Sequence, residues 1–198
     1  MGRTGDRLAA ALSVAAALFL IGVMYAGLTL PQRPKPTDYS LTIRAESRGD
    51  EVIAQGTTNL PDGARLAVVV DRLYRIKGNG TWHTARVGEK VVEVEGGAWR
   101  AVIPIDDETW VHRVAQRVNA RELDPVEAVQ SKLRATVVFS PMVPQVGLVW
   151  DSMGGGFEGL SKSEAAFRAG GQWLIRRHTT FERPLRRDLE QRLLARGS

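Results

Sequence analysis

The sequence predicts a mainly β protein, an antiparallel β-sandwich with helical insertions, preceded by one N-terminal transmembrane helix. Three observations carry this expectation. A long uncharged apolar run lies near the N-terminus, a proline-rich stretch follows it, and from Ser40 onward apolar and polar residues alternate. The expected layout is a cytoplasmic N-terminus at 1–7, a membrane helix at 8–30 and a spacer at 31–38. An extracytoplasmic sandwich with helical and glycine-rich insertions follows at 39–183, then a basic amphipathic helix at 184–198.

The apolar run extends from Leu8 to Leu30, with Ser13 and Thr29 its clearly polar members and no charge. As a helix its residues would rise about 35 Å, against a hydrocarbon core of about 30 Å. A helix in a soluble domain normally leaves one face to water, and this run has no polar face. The competing reading is a cleavable signal peptide. Its apolar region is usually only about 7–15 residues, and the best cleavage residue, Ala26, has the bulky Met24 two places before it. A retained anchor is the preferred reading. Arg3 and Arg7 favour a cytoplasmic N-terminus, partly offset by Arg33 and Lys35 beyond the run. Ala9, Ser13 and Ala17 form a small-residue row suited to helix packing.

Pro31, Pro34 and Pro36 favour an extended, semi-rigid spacer. Beyond it Leu41, Ile43 and Ala45 alternate with polar residues, the period of a strand with one buried face. Arg48-Gly49-Asp50 supplies a turn, and Val52, Ala54 and Gly56 continue the alternation. Pro61-Asp62-Gly63 turns into a long strand from Arg65 to about Ile76. Gly78-Asn79-Gly80 then predicts a hairpin into TWHTARV, and Gly96-Gly97 a second hairpin joining VVEVE to AWRAVIP.

These phrases resemble the extracytoplasmic immunoglobulin-like and fibronectin type III-like domains of bacterial envelope proteins. GTTNLPDGARL at 56–66 is similar to their strand–turn–strand opening, and VEVEGGAWRAVIP at 92–104 to their later hairpin with an aromatic after paired glycines. The resemblance covers about residues 40–105 and is one of fold. The chain departs from antibody-type domains in having no cysteine. The resemblance implies a scaffold or binding role and names no ligand.

Residues 107–133 interrupt the strands. Trp110, Val111, Val114 and Val118 fit a helical face, although Trp110, Val114 and Val118 also fit alternate strand positions; helix is preferred. Asp124-Pro125 reads as a cap and first turn, predicting a short helix over 125–133 with Val126, Val129 and Leu133 on one face. RATVVFSP at 134–141 reads as a strand. VGLVW at 146–150 reads as a further strand, and DSMGGGFEGLSKS after it as a mobile loop. QWLIRRHTTFERP at 172–184, where Trp173, Ile175, Arg177, Thr179 and Phe181 alternate with Leu174, Arg176, His178 and Thr180, reads as a late strand. In the last segment Leu185, Leu189 and Leu193 stand at helical spacing, read either as a helix capping the domain, which is preferred, or as one lying on anionic lipid.

Composition and motifs exclude more chemistry than they offer. Absence of cysteine removes disulfides, thiolate metal sites and a lipidated cysteine. Of the net charge of +5, the segment 176–196 contributes +4 (seven arginines less Glu182, Asp188 and Glu190), so no basic surface runs along the chain and no nucleic-acid partner is expected. His83, His112 and His178 stand apart, outside any metal-ligand spacing. Asp106, Asp107 and Glu108 are too close in sequence to face each other across a cleft and read as an element start. The glycine-rich loop fails the phosphate-loop spacing, because Leu160 and Ser161 separate Gly159 from Lys162. No catalytic, cofactor or metal site is expected.

Of the five tryptophans, Trp99 and Trp173 are assigned to the core. Trp82 and Trp150, beside turns and glycines, are the candidate partner contacts, together with His83, Phe157, Arg186 and Arg187. The expected function is that of a noncatalytic accessory or scaffold subunit contacting membrane lipid and other subunits of a membrane or envelope complex. The alternatives are a surface module binding glycan or peptide and, behind it, an envelope enzyme built on the histidines.

Overall fold

In a computed structural model of the chain, residues 37–154 and 157–194 are described. Alternation does what the sequence predicts: eight strands among these residues form two antiparallel sheets. Strands β1 (Arg44–Arg48), β2 (Glu51–Thr57) and β5 (Ala98–Pro104) make the smaller, in the order β1-β2-β5. The larger contains β3 (Arg65–Ile76), β4 (Trp82–Glu93), β6 (Val126–Phe139), β7 (Ala166–Ala169) and β8 (Gln172–Glu182), in the order β4-β3-β6-β8-β7. The chain passes between sheets after β2, after β4 and after β5, as in a sandwich.

One core serves both sheets. Leu66, Val68 and Val70 of β3, Ala135, Val137 and Phe139 of β6, and Val52, Ala54, Ala101 and Ile103 of the small sheet are fully buried. Each fully buried large side chain contributes about 1.5–3 kcal/mol of hydrophobic stabilisation. Two glycines allow close backbone approach. A Cβ at Gly56 would overlap the Thr42 carbonyl and lie 2.9 Å from Trp99 Cζ2, and one at Gly88 would lie 2.7 Å from Ile103 Cγ2. Opposite Gly88 the β3–β4 register shifts between Val70 and Asp71, a bulge that leaves Val87 as the extra residue, also buried.

Helix α1 (Asp107–Asn119) is the helical alternative realised. Asp106 caps it, accepting a 2.8 Å hydrogen bond from the Thr109 N–H, and Trp110, Val111 and Val114 are buried. Trp110 stacks on Tyr74 of β3 at 6.0 Å between ring centroids. Helix α3 (Arg187–Leu194) packs against α1 and β6 and buries Leu189 and Leu193. Its apolar stripe is thus part of the core, the capping reading, and unavailable to lipid.

Three expectations need correction. The helix at 125–133 is instead the first part of β6. Its pairing with β3 shifts between Arg75 and Ile76 and again between Arg72 and Tyr74, where Tyr74 faces Val129 but Arg72 faces Leu133. These inserted residues convert a strand's alternation into spacings of three and four, which imitate a helix. VGLVW is not a strand: helix α2 (Gly147–Met153) occupies it, with Val149 and Met153 buried four residues apart. The stretch expected as a loop, 151–163, holds the end of α2 and a 3-10 turn (Glu158–Leu160), and the short edge strand β7 follows it. At the front, regular pairing begins at Arg44, Leu41 making an isolated bridge to Thr58. The apolar run at 8–30, with Ala9, Ser13 and Ala17, lies outside the described residues, and none of the described helices is long and apolar enough to cross a membrane.

Candidate functional site

Strand β3 separates two aromatic regions by its own length. Trp82 pairs with Arg75 near its end, while Gln145 grips Arg65 at its start, ten residues or about 33 Å away. At the Trp82 end, the Arg75 guanidinium lies 5.3 Å from the Trp82 ring centroid and also ion-pairs with Glu127. His83 faces Tyr74 across the strand pair, 5.6 Å between rings, and completes a row Trp110–Tyr74–His83. Burial raises the Tyr74 phenol above its ordinary pKa. Trp82 is 37% exposed, so one part of its ring remains at the surface.

At the other end the β6–β7 connection is fastened before α2 begins. Gln145 Nε2 donates to the Arg65 carbonyl at 2.9 Å, and its Oε1 accepts from the Arg65 N–H at 2.8 Å, so one side chain stands in for a strand neighbour. The α2 residues Val149 and Met153 then turn inward, which directs their neighbour Leu148 outward. Phe157, in the left-handed backbone region at φ 56°, is fully buried, stacked 5.2 Å from Phe139. Trp150 meets Phe157 edge-on at 5.4 Å and keeps 38% exposure. Of the two residues singled out here, Phe157 therefore belongs to the core and Trp150 to the surface above it.

Arg186 and Arg187 lie in a third place. Arg186 pairs with Glu108 at the start of α1 and lies 3.5 Å from Asp188, and the Glu108 hydrogen bond raises its pKa. Arg192 is 3.5 Å from Glu108 as well. Part of the tail's basic excess is thus answered by carboxylates of the same chain. Arg187 is exposed at the first residue of α3.

The structure does not gather the expected contact residues into one surface. It also gives the adjacent carboxylates structural work. Asp106 is the α1 cap, and Asp107 is a buried partner of Arg72 at 3.2 Å. His112 and His178 are exposed on α1 and β8. Among the described residues no group of three or more histidine or carboxylate side chains is placed to hold a metal ion. A concavity lies between the end of β4 and the small sheet, lined by Thr42, Gln55, Glu93, Trp99 and Arg100 among others. Trp99 is only 3% exposed and offers no open ring face there.

Sequence reasoning missed the exposed apolar residues Met142, Val146 and Leu148. Their signal was the MVPQVGLVW stretch at 142–150, whose VGLVW part a strand reading divided between core and solvent and a helical reading leaves largely outside.

No protein-family model matches the chain, and no curated protein matches it. Among solved structures it is similar to two crystal forms of wild-type OgpA from Akkermansia muciniphila. Identity is 12% over 78% of this chain and 32% of that one at a TM-score of 0.30, and 14% over 78% and 30% at 0.29. The chain thus spans about a third of the length of those structures, and a likeness this low assigns it no activity.

Proposed function

We propose that the chain is a noncatalytic accessory subunit of a bacterial membrane or envelope complex. The run at 8–30 holds it in the membrane as a single span, and an extracytoplasmic sandwich of the immunoglobulin-like or fibronectin-like kind contacts its neighbours. The carrying observation is the order of segments: an uncharged 23-residue apolar run, a proline spacer and then a sandwich. The noncatalytic part draws support from Asp106 and Asp107, whose carboxylates are committed to a helix cap and a buried ion pair.

A second reading, a glycan- or peptide-binding module, draws on Trp82, which keeps an exposed ring beside a guanidinium. Both yield to one experiment. The full-length protein is extracted from its native membrane in mild detergent, and its companions and its own N-terminus are identified by mass spectrometry. An intact N-terminus and stoichiometric membrane partners support the accessory subunit. A lone protein cleaved near Ala26 overturns it in favour of the binding module.

A further inference from the structure

Six large hydrophobic residues are exposed among those described, and four of them, Met142, Val146, Leu148 and Trp150, fall within nine residues of sequence. Met142 and Leu148 are the extreme cases at 84% and 86% exposure. Scattered exposed apolar residues are ordinary, but a concentration on one connection marks a surface that meets something less polar than water.

The tether identifies what that is. The Thr37 N–H donates to the Gly159 carbonyl at 3.0 Å, the Ser163 hydroxyl to the Thr37 carbonyl at 3.3 Å, and the Tyr39 N–H to the Ser163 hydroxyl at 2.7 Å. Gly159 in turn packs on the last residue of α2: a Cβ there would sit 3.4 Å from the Met153 carbonyl oxygen. Leu148 is five residues earlier on that helix, about 7.5 Å along its axis. The chain therefore leaves the domain beside α2. From Thr37 back to Leu30, the end of the apolar run, seven residue steps span at most about 25 Å.

We infer that the exposed side chain of Leu148, with Met142 and Val146 of the same β6–β7 connection, inserts into the interface of the bilayer that the 8–30 run enters. This rests on the anchored reading above and adds a lipid contact to it. Leucine, methionine and valine supply the apolar contact, while Trp150, two positions on, projects from the other flank of α2. Exposed Asp151 lies on the same helix, and the contact is carried by apolar insertion, for which a zwitterionic surface suffices. The short tether keeps this face at high effective concentration near the bilayer, so a small patch suffices where a free domain would not bind.

The absence of cysteine makes the test direct. Full-length Leu148→Cys and Thr81→Cys variants, each carrying an environment-sensitive fluorophore, are reconstituted in phosphatidylcholine–phosphatidylethanolamine vesicles. Both positions are exposed, and Thr81 lies in the hairpin at the Trp82 end. The label at 148 is expected to shift to the blue and to be quenched by shallow spin-labelled lipid several-fold more strongly than the label at 81. Equal aqueous exposure of both labels, in protein that resists carbonate extraction, would overturn the inference and leave the anchor standing. A label at 148 shielded from water yet untouched by lipid quencher would overturn it in favour of a second copy of the chain on this face. Release of the protein by carbonate would instead sink the anchored reading, and this lipid contact with it.

Discussion

Nε of Arg72, on β3, lies 3.2 Å from Oδ1 of Asp107 at the first residue of α1, and the Arg72 side chain is entirely buried. The same guanidinium donates to the carbonyls of Gln130 at 3.1 Å and Arg183 at 3.0 Å, while the Trp110 indole N–H donates to Asp107 Oδ1 at 3.1 Å. One charge thus ties α1 and the segment after β8 to the middle of the large sheet. Burial lowers the Arg72 pKa, and Asp107 opposes that shift. The charged form persists because its partners are in place.

Asp107→Ala removes the counter-charge and leaves the guanidinium with two carbonyls and the neighbouring Arg183. Breaking a buried pair from one side costs about 3–5 kcal/mol. Urea unfolding of the full-length protein in mild detergent, followed by tryptophan fluorescence, should show a loss of that size. A loss below 1 kcal/mol, as surface pairs give, would mean that water replaces the carboxylate.

Asp106 is a separable case one residue earlier, because it accepts the Thr109 N–H and is mostly exposed. Asp106→Ala should cost about 1 kcal/mol and Asp106→Asn much less, since asparagine also caps. The hydrogen bonds from Thr109 lower the Asp106 pKa. Its contribution is therefore present above the unfolded aspartate pKa and disappears as pH falls through the folded one. The Ala variant should approach the parent in stability in strong acid, which denaturation at a series of pH values would reveal.

Two glycines make a matched pair for steric tests. At Gly56 a Cβ would collide with backbone at Thr42 and crowd the Trp99 ring, whereas at Gly80 it would meet nothing within 4 Å and the backbone φ is ordinary. Gly56→Ala should destabilise by more than about 2 kcal/mol, the scale of an overpacked core. Gly80→Ala should remain within about 0.5 kcal/mol of the parent, as surface changes do. Thermal melting of both variants side by side decides it; equal melting temperatures would mean that β2 and the Thr42 segment can separate freely.

Much of this arrangement was legible because alternation survives wherever pairing is regular. Arg65–Ile76 is one strand in both readings, and the Gly96-Gly97 turn adopts the positive φ values expected of it. Legibility fails where pairing is irregular. Val126, Val129 and Leu133 have helical spacing because inserted residues interrupt their strand, and no local preference reveals an insertion whose partner is fifty residues away. The surface was harder still. Trp150 is identifiable by type, but the exposure of Leu148 depends on Val149 and Met153 finding the core, a tertiary fact. The fully buried Arg72 looked like any arginine in an alternating strand.

Asp71, next to Arg72, pairs with Arg86 of β4 on one side and Arg134 of β6 on the other, the Arg134 guanidinium 3.5 Å away. Two flanking arginines alone would lower its pKa, yet burial is the larger effect and raises it. The folded state then holds the Asp71 proton more tightly than the unfolded chain. Its contribution is complete below the unfolded aspartate pKa and is lost as pH rises through the folded one. Asparagine cannot ionise, so the stability of the parent relative to Asp71→Asn should decline as pH rises through that window and level off above it. Chemical denaturation of both proteins from about pH 3 to pH 7 tests the sign. A parent that gains on the variant with rising pH would show that the two arginines outweigh the desolvation of the carboxylate.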